Sequence, residues 1–411
     1  MLLSFSVSNY KNFKDKQTLN FVNKKNKEVL PIIAIYGENG SGKSNLLKAL
    51  FLLKNIITRP ITQITPISEI SNDIFLSPFK LHNDYITEPS RFEIEFITNS
   101  KRFKYILECN KKQVVFEELD ELNEQTNRYS FIYKRQYDLV IFNEKLKISQ
   151  TIKSIINNKY NELSRYINVL FLSLLWNERI NPAYDIFMFF ATKLFIFPTI
   201  INDGESNGIS TLEQLKKPIN KQKIINFLNS VNINIDDIEI RNREVDIKKN
   251  GVLFETQTVV DSVKFLRKNN NNKLVYFDFL MEESTGTQKL FTLTGDLLNA
   301  LESGEITVIF DELDKALHID LLLSIINLFN NKNTNKNSSQ LIFTTHNTTL
   351  LSNRYNLFLN KEQVCIIDKK YSGESEIYSL DNVGGIGNKS KENLFLNGQL
   401  GGVPSLVEFN I

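Results

Sequence analysis

Eight consecutive residues carry the clearest chemical signal in this sequence, Gly37-Glu38-Asn39-Gly40-Ser41-Gly42-Lys43-Ser44. They follow the apolar run Ile32–Tyr36 and precede a segment with the apolar spacing of a helix. The glycines allow the backbone to curl so that successive N–H groups face an anion, and the helix N-terminus adds its positive dipole end. This is the pattern of a phosphate-binding loop, or Walker A motif. The predicted phosphate-binding residues are Gly37, Asn39, Gly40, Ser41, Gly42, Lys43, Ser44 and Asn45.

Two side chains of this motif have defined roles at a nucleotide. Lys43 would reach the β- and γ-phosphates, and the Ser44 hydroxyl would ligate Mg²⁺. A glycine-rich turn without any ligand has the same local composition. The position between a buried strand and a helix favours the phosphate-binding interpretation, so we expect ATP and Mg²⁺ as cofactors.

A second motif supplies carboxylates at the end of a strand. Thr307–Phe310 reads as a buried strand, and Asp311-Glu312 follows it in the Walker B pattern. Asp311 would hold the Mg²⁺, while Glu312 would orient or deprotonate the attacking water. Acidic residues at such a position can instead cap the next helix. Because a phosphate-binding loop lies upstream, we assign the catalytic role to Glu312.

Two further segments carry candidate site residues. His346 follows the apolar strand Leu341–Thr344, where a histidine could hydrogen-bond the γ-phosphate. Ser284 and Gly286 precede a long run of leucines with helical spacing. A Ser-x-Gly turn before a helix offers a hydroxyl, backbone N–H groups and the helix dipole to an anion, although it also serves as an ordinary helix cap.

Two single residues have roles that the sequence leaves open. Lys11 could contact phosphate, or it could be an ordinary solvated lysine. Gln63 could be the glutamine that senses Mg²⁺ and water, although its loop is rich in Ile, Pro, Ser and Thr and gives no clear placement.

Charge and cysteine usage restrict the function classes. The net charge of +2 gives no overall sign of nucleic-acid binding, although a local basic groove remains possible. The Lys-rich segment Leu215–Lys223 could contact DNA or a partner protein, and a solvated helix face is the simpler interpretation. Cys109 and Cys365 lie far apart and form no metal-ligand spacing with the histidines, so we expect a reducing, cytoplasmic location.

The sequence also predicts no membrane association. The segment that begins with Met1 lacks the basic start and the small-residue cleavage site of a signal peptide. The most apolar region, Ile167–Ile201, contains charged residues and prolines before about 20 apolar residues accumulate. We therefore predict core helices there.

The pattern of elements predicts an α/β protein in three parts. Strictly alternating residues over Phe92–Phe96 begin an antiparallel meander that would brace the nucleotide-binding sheet. Three stretches with helical spacing follow, the last over Ile186–Phe197, before strand patterns return between Glu244 and Leu280. We predict an N-terminal head segment 1–145, a helical insertion 146–243 and a C-terminal head segment 244–411.

Along the chain the motifs occur as Walker A, the Ser-Thr-Gly-Thr-Gln segment, Walker B with its glutamate, Leu313-Asp314 and the histidine strand. In this order they resemble the motifs of an ATP-binding-cassette (ABC) ATPase. Asn9-Tyr10-Lys11-Asn12-Phe13, Gly-Lys-Ser-Asn-Leu-Leu and Glu-Ser-Thr-Gly-Thr-Gln-Lys-Leu resemble the soluble SMC-like and RecF-like branch. Within that branch the chain is similar to bacterial ATPases of anti-phage and abortive-infection systems, the OLD-like and RloA-like group, including the ending Glu392–Pro404. Thr285 and Thr287 depart from the transporter signature Leu-Ser-Gly-Gly-Gln.

The resemblance implies a P-loop NTPase of the ABC type, with an antiparallel β subdomain and a helical insertion, that binds and hydrolyses ATP. Ser284 and Gly286 would complete the site of a second copy in a head-to-tail homodimer. Two functions compete: an ATPase sensor that gates an effector such as a nuclease, and a DNA-repair ATPase whose arms act as a clamp. A transporter subunit is a third, weaker alternative because the signature is SMC-like.

The resemblance also bears on where the effector lies. In OLD-like nucleases a TOPRIM metal-binding domain follows the ATPase, and such a domain needs clustered acidic ligands. About 65 residues follow His346 in this sequence, and they contain no Asp-x-Asp. We therefore expect the effector on a separate polypeptide, encoded by a neighbouring gene.

Overall fold

The computed structural model describes residues 1–60, 76–157, 168–197, 209–249, 252–352, 359–384 and 390–402. The chain divides into two compact units. Unit 1 comprises Met1–Ile200, Ser303–Leu313 and Ile326–Ile411. Unit 2 comprises Ile201–Glu302 and Asp314–Ile325. The region predicted as one helical insertion, 146–243, is thus divided between the two units.

Strands and helices occur mostly in runs, and between residues 274 and 344 they alternate one by one. The strands are β1 (Leu2–Ser8), β2 (Gln17–Asn20), β3 (Ile32–Tyr36), β4 (Ser90–Thr98), β5 (Lys101–Cys109), β6 (Val114–Asn123), β7 (Arg128–Gln136), β8 (Leu139–Phe142), β9 (Leu194–Phe197), β10 (Asp237–Lys249), β11 (Val252–Lys268), β12 (Leu274–Asp278), β13 (Thr307–Phe310), β14 (Gln340–Thr344), β15 (Val364–Lys369) and β16 (Ser375–Ser379). The α-helices are α1 (Lys43–Thr58), α2 (Asn83–Thr87), α3 (Gln150–Asn157), α4 (Phe171–Asn177), α5 (Ala183–Thr192), α6 (Ile209–Leu215), α7 (Pro218–Ser230), α8 (Thr285–Ser303), α9 (Ile319–Asn330) and α10 (Lys391–Leu396). Short 3₁₀-helices span Thr348–Leu351, Lys361–Gln363 and Leu380–Asn382.

A six-stranded sheet of unit 1 carries the predicted motifs. Its strand order is β16-β15-β3-β14-β13-β9, and all neighbours are parallel except β16, which pairs antiparallel with β15. Strands β3, β13 and β14 are buried along their whole length, as expected of parallel strands that are covered on both faces. The sequence predicted these three strands correctly, because each is a continuous apolar run that ends in polar residues.

One predicted helix is wrong at its C-terminal end. The helical spacing over Ile186–Phe197 predicted a single helix, but α5 ends at Thr192 and the last residues form β9. Strand β9 extends the sheet beyond β13, and the Asp311 N–H donates a hydrogen bond of 3.1 Å to the Phe197 carbonyl. Periodicity does not distinguish a short apolar strand from a helix segment. The strand forms because its partner, distant in sequence, offers free backbone groups.

A seven-stranded antiparallel sheet is the second large feature of unit 1. Its order is β2-β1-β4-β5-β6-β7-β8, so the predicted meander exists and extends further than expected through β7 and β8. Helix α1 packs against β1, α4 and α5. Its buried residues Leu46 and Leu50 share one apolar core with Phe5 of β1 and Ile33 of β3. Packing on α1 therefore links the antiparallel sheet to the strand that leads into the phosphate-binding loop.

Unit 2 combines a three-stranded sheet with helices. Strands β10, β11 and β12 are antiparallel neighbours in that order, and the predicted polar turn at 269–272 connects the last two. The rings of Phe265, Phe279 and Phe291 form a cluster with centroid distances of 4.8 to 5.4 Å. Gly295 of α8 permits close approach of Thr211, whose hydroxyl accepts the Gly295 N–H at 2.8 Å.

Three further predictions concern membrane spans, the two cysteines and the Lys-rich segment. In that part of the chain, no helix combines the length and the apolar content needed to cross a bilayer. Cys109 and Cys365 are both buried free thiols, and burial raises the pKa of each to about 12. Lys216, Lys221 and Lys223 of the Lys-rich segment form ion pairs within unit 2, with Glu213, Asp237 and Glu302 respectively.

Candidate nucleotide-binding site

The predicted phosphate-binding loop lies between β3 and α1, as its motif requires. Gly42 precedes α1 with φ 111°, a left-handed conformation that side chains rarely adopt. A Cβ atom at Gly42 would lie 2.0 Å from the Asn12 side-chain nitrogen, so glycine is also required by space. At Gly40 a Cβ would meet nothing within 4 Å, and both Gly40 and Asn39 are exposed. The loop is therefore closely packed at Gly42, whereas Asn39 and Gly40 face solvent.

A hydrogen-bond network around Asn12 holds the inner side of the loop. The Ser41 carbonyl accepts hydrogen bonds from Asn12 Nδ2 (3.0 Å) and from Ser375 Oγ (2.5 Å). Asn45 Nδ2 in turn donates to Asn12 Oδ1 at 2.7 Å. Sequence reasoning missed this role of Asn12 and Ser375. The available signal was the position of Asn12 in the segment Asn9–Phe13. Lys11, its neighbour, is the only residue of that segment for which a phosphate contact is predicted.

Two side chains of the loop, those of Lys43 and Ser41, carry polar groups suited to bind a phosphate. The Lys43 ammonium is almost completely buried and donates to the carbonyls of Gly37 (2.8 Å) and Glu38 (3.0 Å). The Ser41 hydroxyl is buried and has no hydrogen-bond partner in the described part of the chain. Buried hydroxyl groups normally have a partner, and a phosphate oxygen would supply one here. Ser44 is half-buried in the first turn of α1, beside Lys43.

One threonine of the neighbouring strand, Thr344, makes hydrogen bonds to both Walker B residues. Asp311 is 6 % exposed, and its Oδ1 accepts a 2.5 Å hydrogen bond from Thr344 Oγ1. The same hydroxyl accepts the backbone N–H of Glu312 at 2.7 Å. Glu312 has φ 50°, a left-handed conformation that is uncommon for glutamate and that is found preferentially at functional sites. Thr344 was not among the predicted site residues, and its hydroxyl links the Asp311 carboxylate to the Glu312 backbone N–H.

The strand order brings the three motifs to one edge of the sheet. Strand β14 pairs with β3 on one side and with β13 on the other, so the two motif strands lie roughly 10 Å apart. His346 follows the end of β14 and is exposed. The Tyr36 hydroxyl, at the end of β3, donates to the carbonyl of Asn347 at 3.0 Å. The carboxyl edge of a parallel sheet is where such proteins bind ligands, and His346 lies at that edge. Its hydrogen bond to the γ-phosphate stays a prediction.

Two lysines interact electrostatically in this region. Lys48 of α1 interacts with Asp311, which raises the pKa of the lysine, but burial has the larger effect and lowers it. Burial and the charge of Lys48 lower the pKa of Lys11 to about 8. Lys11 is thus a partly buried lysine within electrostatic range of Lys48. Its contact with phosphate stays a prediction.

These residues fit a bound ATP with Mg²⁺. Ser44 and Asp311 present the hydroxyl and carboxylate oxygens that Mg²⁺ prefers, and Mg²⁺ usually keeps several water ligands. Glu312, next to Asp311, is partly exposed, so its carboxylate is accessible to water. In the described residues, no group of three or more His, Cys, Asp or Glu side chains could hold a metal without a nucleotide. A cation shared between protein and phosphates is therefore the arrangement that suits this donor set.

The signature segment lies in unit 2. Ser284 is exposed, and its hydroxyl accepts the Thr287 N–H at 3.2 Å, so it does cap helix α8 as the simpler interpretation suggested. A Cβ at Gly286 would lie 2.8 Å from the carbonyl of Ala316. Arg267 makes two hydrogen bonds to the Glu283 carboxylate, at 2.5 and 3.1 Å. The segment is thus well ordered by its own unit while its serine faces solvent.

The side chain of Gln288 fixes the same segment from within. Its Nε2 donates to the carbonyls of Phe279, Leu280 and Glu283 at 3.0 to 3.1 Å. Gln63, the residue weighed as a sensing glutamine, lies outside the described residues.

Comparison with known proteins identifies one family. No curated protein matches the chain significantly. Among solved structures, "Crystal structure of the SmcHead bound to the C-winged helix domain of ScpA" is 12 % identical, covers 92 % of this chain and 97 % of that chain, and has a TM-score of 0.44. The SMC head domain from Thermotoga maritima is 13 % identical, covers 92 % and 98 %, and has a TM-score of 0.38.

A protein-family model matches a much larger share of the sequence than the motifs alone. It is described as "AAA domain, putative AbiEii toxin, Type IV TA system" and matches residues 32–352, more than three quarters of the chain. The match begins at the first residue of β3 and extends past His346, so it includes every predicted site residue except Lys11. The chain belongs to this AAA-domain family, and its fold is that of a P-loop NTPase.

Proposed function

We propose that the chain binds ATP with Mg²⁺ at the carboxyl edge of the six-stranded sheet and hydrolyses it. The observation that carries this proposal is the Thr344 hydroxyl, which joins Asp311 and Glu312 at the end of the strand next to β3. Phosphoryl transfer depends mainly on positioning and electrostatics. Contacts that fix the Asp311 carboxylate and the Glu312 main chain, at the end of the strand next to β14, support this role for the two residues.

Each residue then has a separate task. When ATP binds, Lys43 gives up or shares its hydrogen bonds to the Gly37 and Glu38 carbonyls. It then binds the β- and γ-phosphates. Ser44 and Asp311 hold the Mg²⁺, which neutralises phosphate charge when it is bound. Glu312 orients or deprotonates the attacking water, and His346 hydrogen-bonds the γ-phosphate.

We further propose that a second copy of the chain completes the site. Ser284 is exposed and Gly286 is partly exposed, so the segment is accessible to the nucleotide of another subunit. The order of motifs supports an ABC-type, head-to-tail homodimer with two ATP molecules between its subunits. Head-to-tail use of two different surfaces, repeated twice, gives a closed two-fold dimer.

In the cell, we propose a cytoplasmic sensor or regulatory subunit of an anti-phage defence or toxin–antitoxin system that gates a separate effector such as a nuclease. The family description, which names a toxin–antitoxin system, supports this context. Assignment to the OLD-like and RloA-like group rests on the resemblance of the motifs. The alternative, a DNA-repair clamp, has less support because Lys216, Lys221 and Lys223, three of the four lysines in the Lys-rich segment, are engaged in ion pairs.

The purified chain tests this proposal directly. We expect Mg²⁺-dependent ATP hydrolysis, no cleavage of plasmid DNA or RNA with Mg²⁺ or Mn²⁺, and a stable complex with the product of the neighbouring gene after co-expression. Stimulation of hydrolysis by DNA in the absence of any partner would favour the repair clamp instead. Metal-dependent cleavage by the chain alone would show that the effector is not separate.

A further inference from the structure

The C-terminal turn, residues 398–402, contacts the start of the phosphate-binding loop. It follows helix α10 and contains three glycines with positive φ: Gly398 (69°), Gly401 (67°) and Gly402 (67°). The Gly401 N–H donates to the Gly398 carbonyl at 3.2 Å, which closes the turn. The turn belongs to the ending Glu392–Pro404, whose residues resemble those of the OLD-like and RloA-like group.

The turn is fixed to the β15–β16 hairpin by two hydrogen bonds. The Gly402 N–H donates to Asp368 Oδ1 at 2.8 Å, and the Tyr378 hydroxyl donates to the Leu400 carbonyl at 2.6 Å. Leu400 is 3 % exposed, so the turn is also held by apolar burial. Three independent contacts therefore determine where Gly402 lies.

From that position Gly402 packs against Gly37. A Cβ atom at residue 402 would lie 3.3 Å from the Gly37 Cα and 3.0 Å from the Ile366 Cγ2. The Phe395 ring, just before the turn, meets the Tyr36 ring edge-on with a centroid distance of 5.5 Å. Tyr36, the last residue of β3, and Gly37, the first residue of the phosphate-binding loop, thus both contact the segment 395–402.

Gly37 also determines the position of the essential lysine, because its carbonyl accepts a hydrogen bond from Lys43 Nζ. A Cβ at Gly37 would meet the Ile367 carbonyl and the Ser41 hydroxyl, both at 2.5 Å, so Gly37 has little room to move. A larger residue at position 402 would therefore displace Gly37. The Lys43 ammonium and the Ser41 hydroxyl, which lie beside Gly37 and are proposed to bind phosphate, would move with it.

We propose that the C-terminal turn is a positioning element of the phosphate-binding loop, and that its docking and nucleotide binding strengthen each other. Coupling between two sites is reciprocal, so a nucleotide in the loop stabilises the docked turn to the same extent as the turn favours the nucleotide. This inference rests on the proposed ATP binding. It adds that residues outside the phosphate-binding motif set nucleotide affinity through Gly37.

Two matched substitutions test it. Gly402→Asn and Gly398→Asn both place the same side chain at a positive φ, which asparagine tolerates better than most residues. Space differs: residue 402 contacts Gly37, whereas a Cβ at residue 398 meets nothing within 4 Å. We expect Gly402→Asn to weaken the binding of Mg·ADP by at least about fivefold and Gly398→Asn to leave it within about twofold. The maximal ATPase rate at saturating ATP should change little in either variant.

A second pair keeps the test valid if Gly402→Asn does not fold. Asp368→Ala removes the acceptor of the Gly402 N–H, whereas Asp368→Asn retains an oxygen at the same place. We expect weaker Mg·ADP binding for the alanine variant and recovery for the asparagine variant. In the wild-type chain, Mg·ADP should slow hydrogen exchange at the Gly402 amide.

The outcomes separate this inference from the proposed function. If the wild-type chain binds no Mg·ADP, the proposed function fails and the inference fails with it. If the wild-type chain binds Mg·ADP, but the members of each pair bind it equally well and exchange at Gly402 does not respond, the inference alone is overturned.

Discussion

The two halves of the proposed site differ in how completely their own unit encloses them. On the loop side, Ser41, Lys43 and Asp311 are at most 6 % exposed and are held by contacts that form when unit 1 folds. On the signature side, Ser284 is exposed and its hydroxyl is engaged only locally, at the start of α8. The loop side is therefore enclosed within one chain, whereas the polar groups of the signature side face solvent.

This difference separates two kinds of experimental effect. Changes on the loop side should alter nucleotide affinity or the chemical step even in a single chain. Changes on the signature side should leave the affinity of a single chain unaltered and act only when two chains associate. The predictions below use this contrast, beginning with the largest expected effect.

Glu312→Gln should slow hydrolysis by about 10²- to 10⁴-fold while ATP binding is retained, because the amide is a poor base for the attacking water. The measurement is a steady-state ATPase rate together with a binding titration on the same preparation. Asp314→Asn is a suitable control, since Asp314 follows the Walker B pair and carries no proposed catalytic role. An unchanged rate in Glu312→Gln would remove that residue from catalysis.

Lys43→Ala should weaken nucleotide binding by about 100-fold, because charge-assisted hydrogen bonds to phosphate are lost and two carbonyls lose their donor. Lys54→Ala, on the same helix but with its ammonium directed to the Leu194 carbonyl, provides the control. Isothermal titration with Mg·ADP measures both affinities. Equal affinities in the two variants would place the nucleotide elsewhere.

Thr344→Val should lower the maximal ATPase rate by up to roughly 30-fold, because each lost hydrogen bond is worth about 1 kcal/mol and both Walker B residues lose one. Thr307→Val is the matched control: Thr307 is equally buried, on a neighbouring strand, and its hydroxyl donates to Gln340 Oε1 at 2.9 Å. In thermal unfolding Thr344→Val should lose more stability than Thr307→Val, because it loses two hydrogen bonds instead of one. A rate loss of the same size in both would reduce Thr344 to a structural role.

The affinity for Mg·ADP should depend on pH through Lys11, whose pKa burial and Lys48 lower to about 8. A phosphate nearby favours the charged lysine, so affinity should be highest below pH 8 and fall as the pH rises through 8, by up to ~10-fold between pH 7 and 9. In Lys11→Arg the charge persists at pH 9, and the decline should disappear. The same decline in that variant would assign the pH dependence to another group.

The sequence allowed the loop, the Walker B strand and the histidine strand to be placed correctly, because each combines a continuous apolar run with polar residues at its end. It did not reveal Asn12, Ser375 or Thr344 as parts of the site. Their roles come from contacts between distant segments: Ser375 bonds to the Ser41 carbonyl 334 positions away. Strand β9 was missed for the same reason, since only its pairing with β13 distinguishes it from the end of a helix.

The central claim is that two chains share each ATP site, and mixing two inactive variants tests it most directly. Lys43→Ala disables the loop side and Ser284→Arg disables the signature side, so each variant alone should have almost no ATPase activity. Ser230→Arg, an exposed serine of α7 in the same unit, should remain active and controls for the added charge. The Ser284→Arg chain should still bind Mg·ADP with wild-type affinity.

In an equimolar mixture, half of the dimers contain one of each variant, and each of these has one intact composite site. The account therefore predicts that activity returns on mixing, to about a quarter of the wild-type rate if the sites act independently. Full activity of Ser284→Arg alone, or no recovery in a mixture shown by sedimentation to contain mixed dimers, would contradict it.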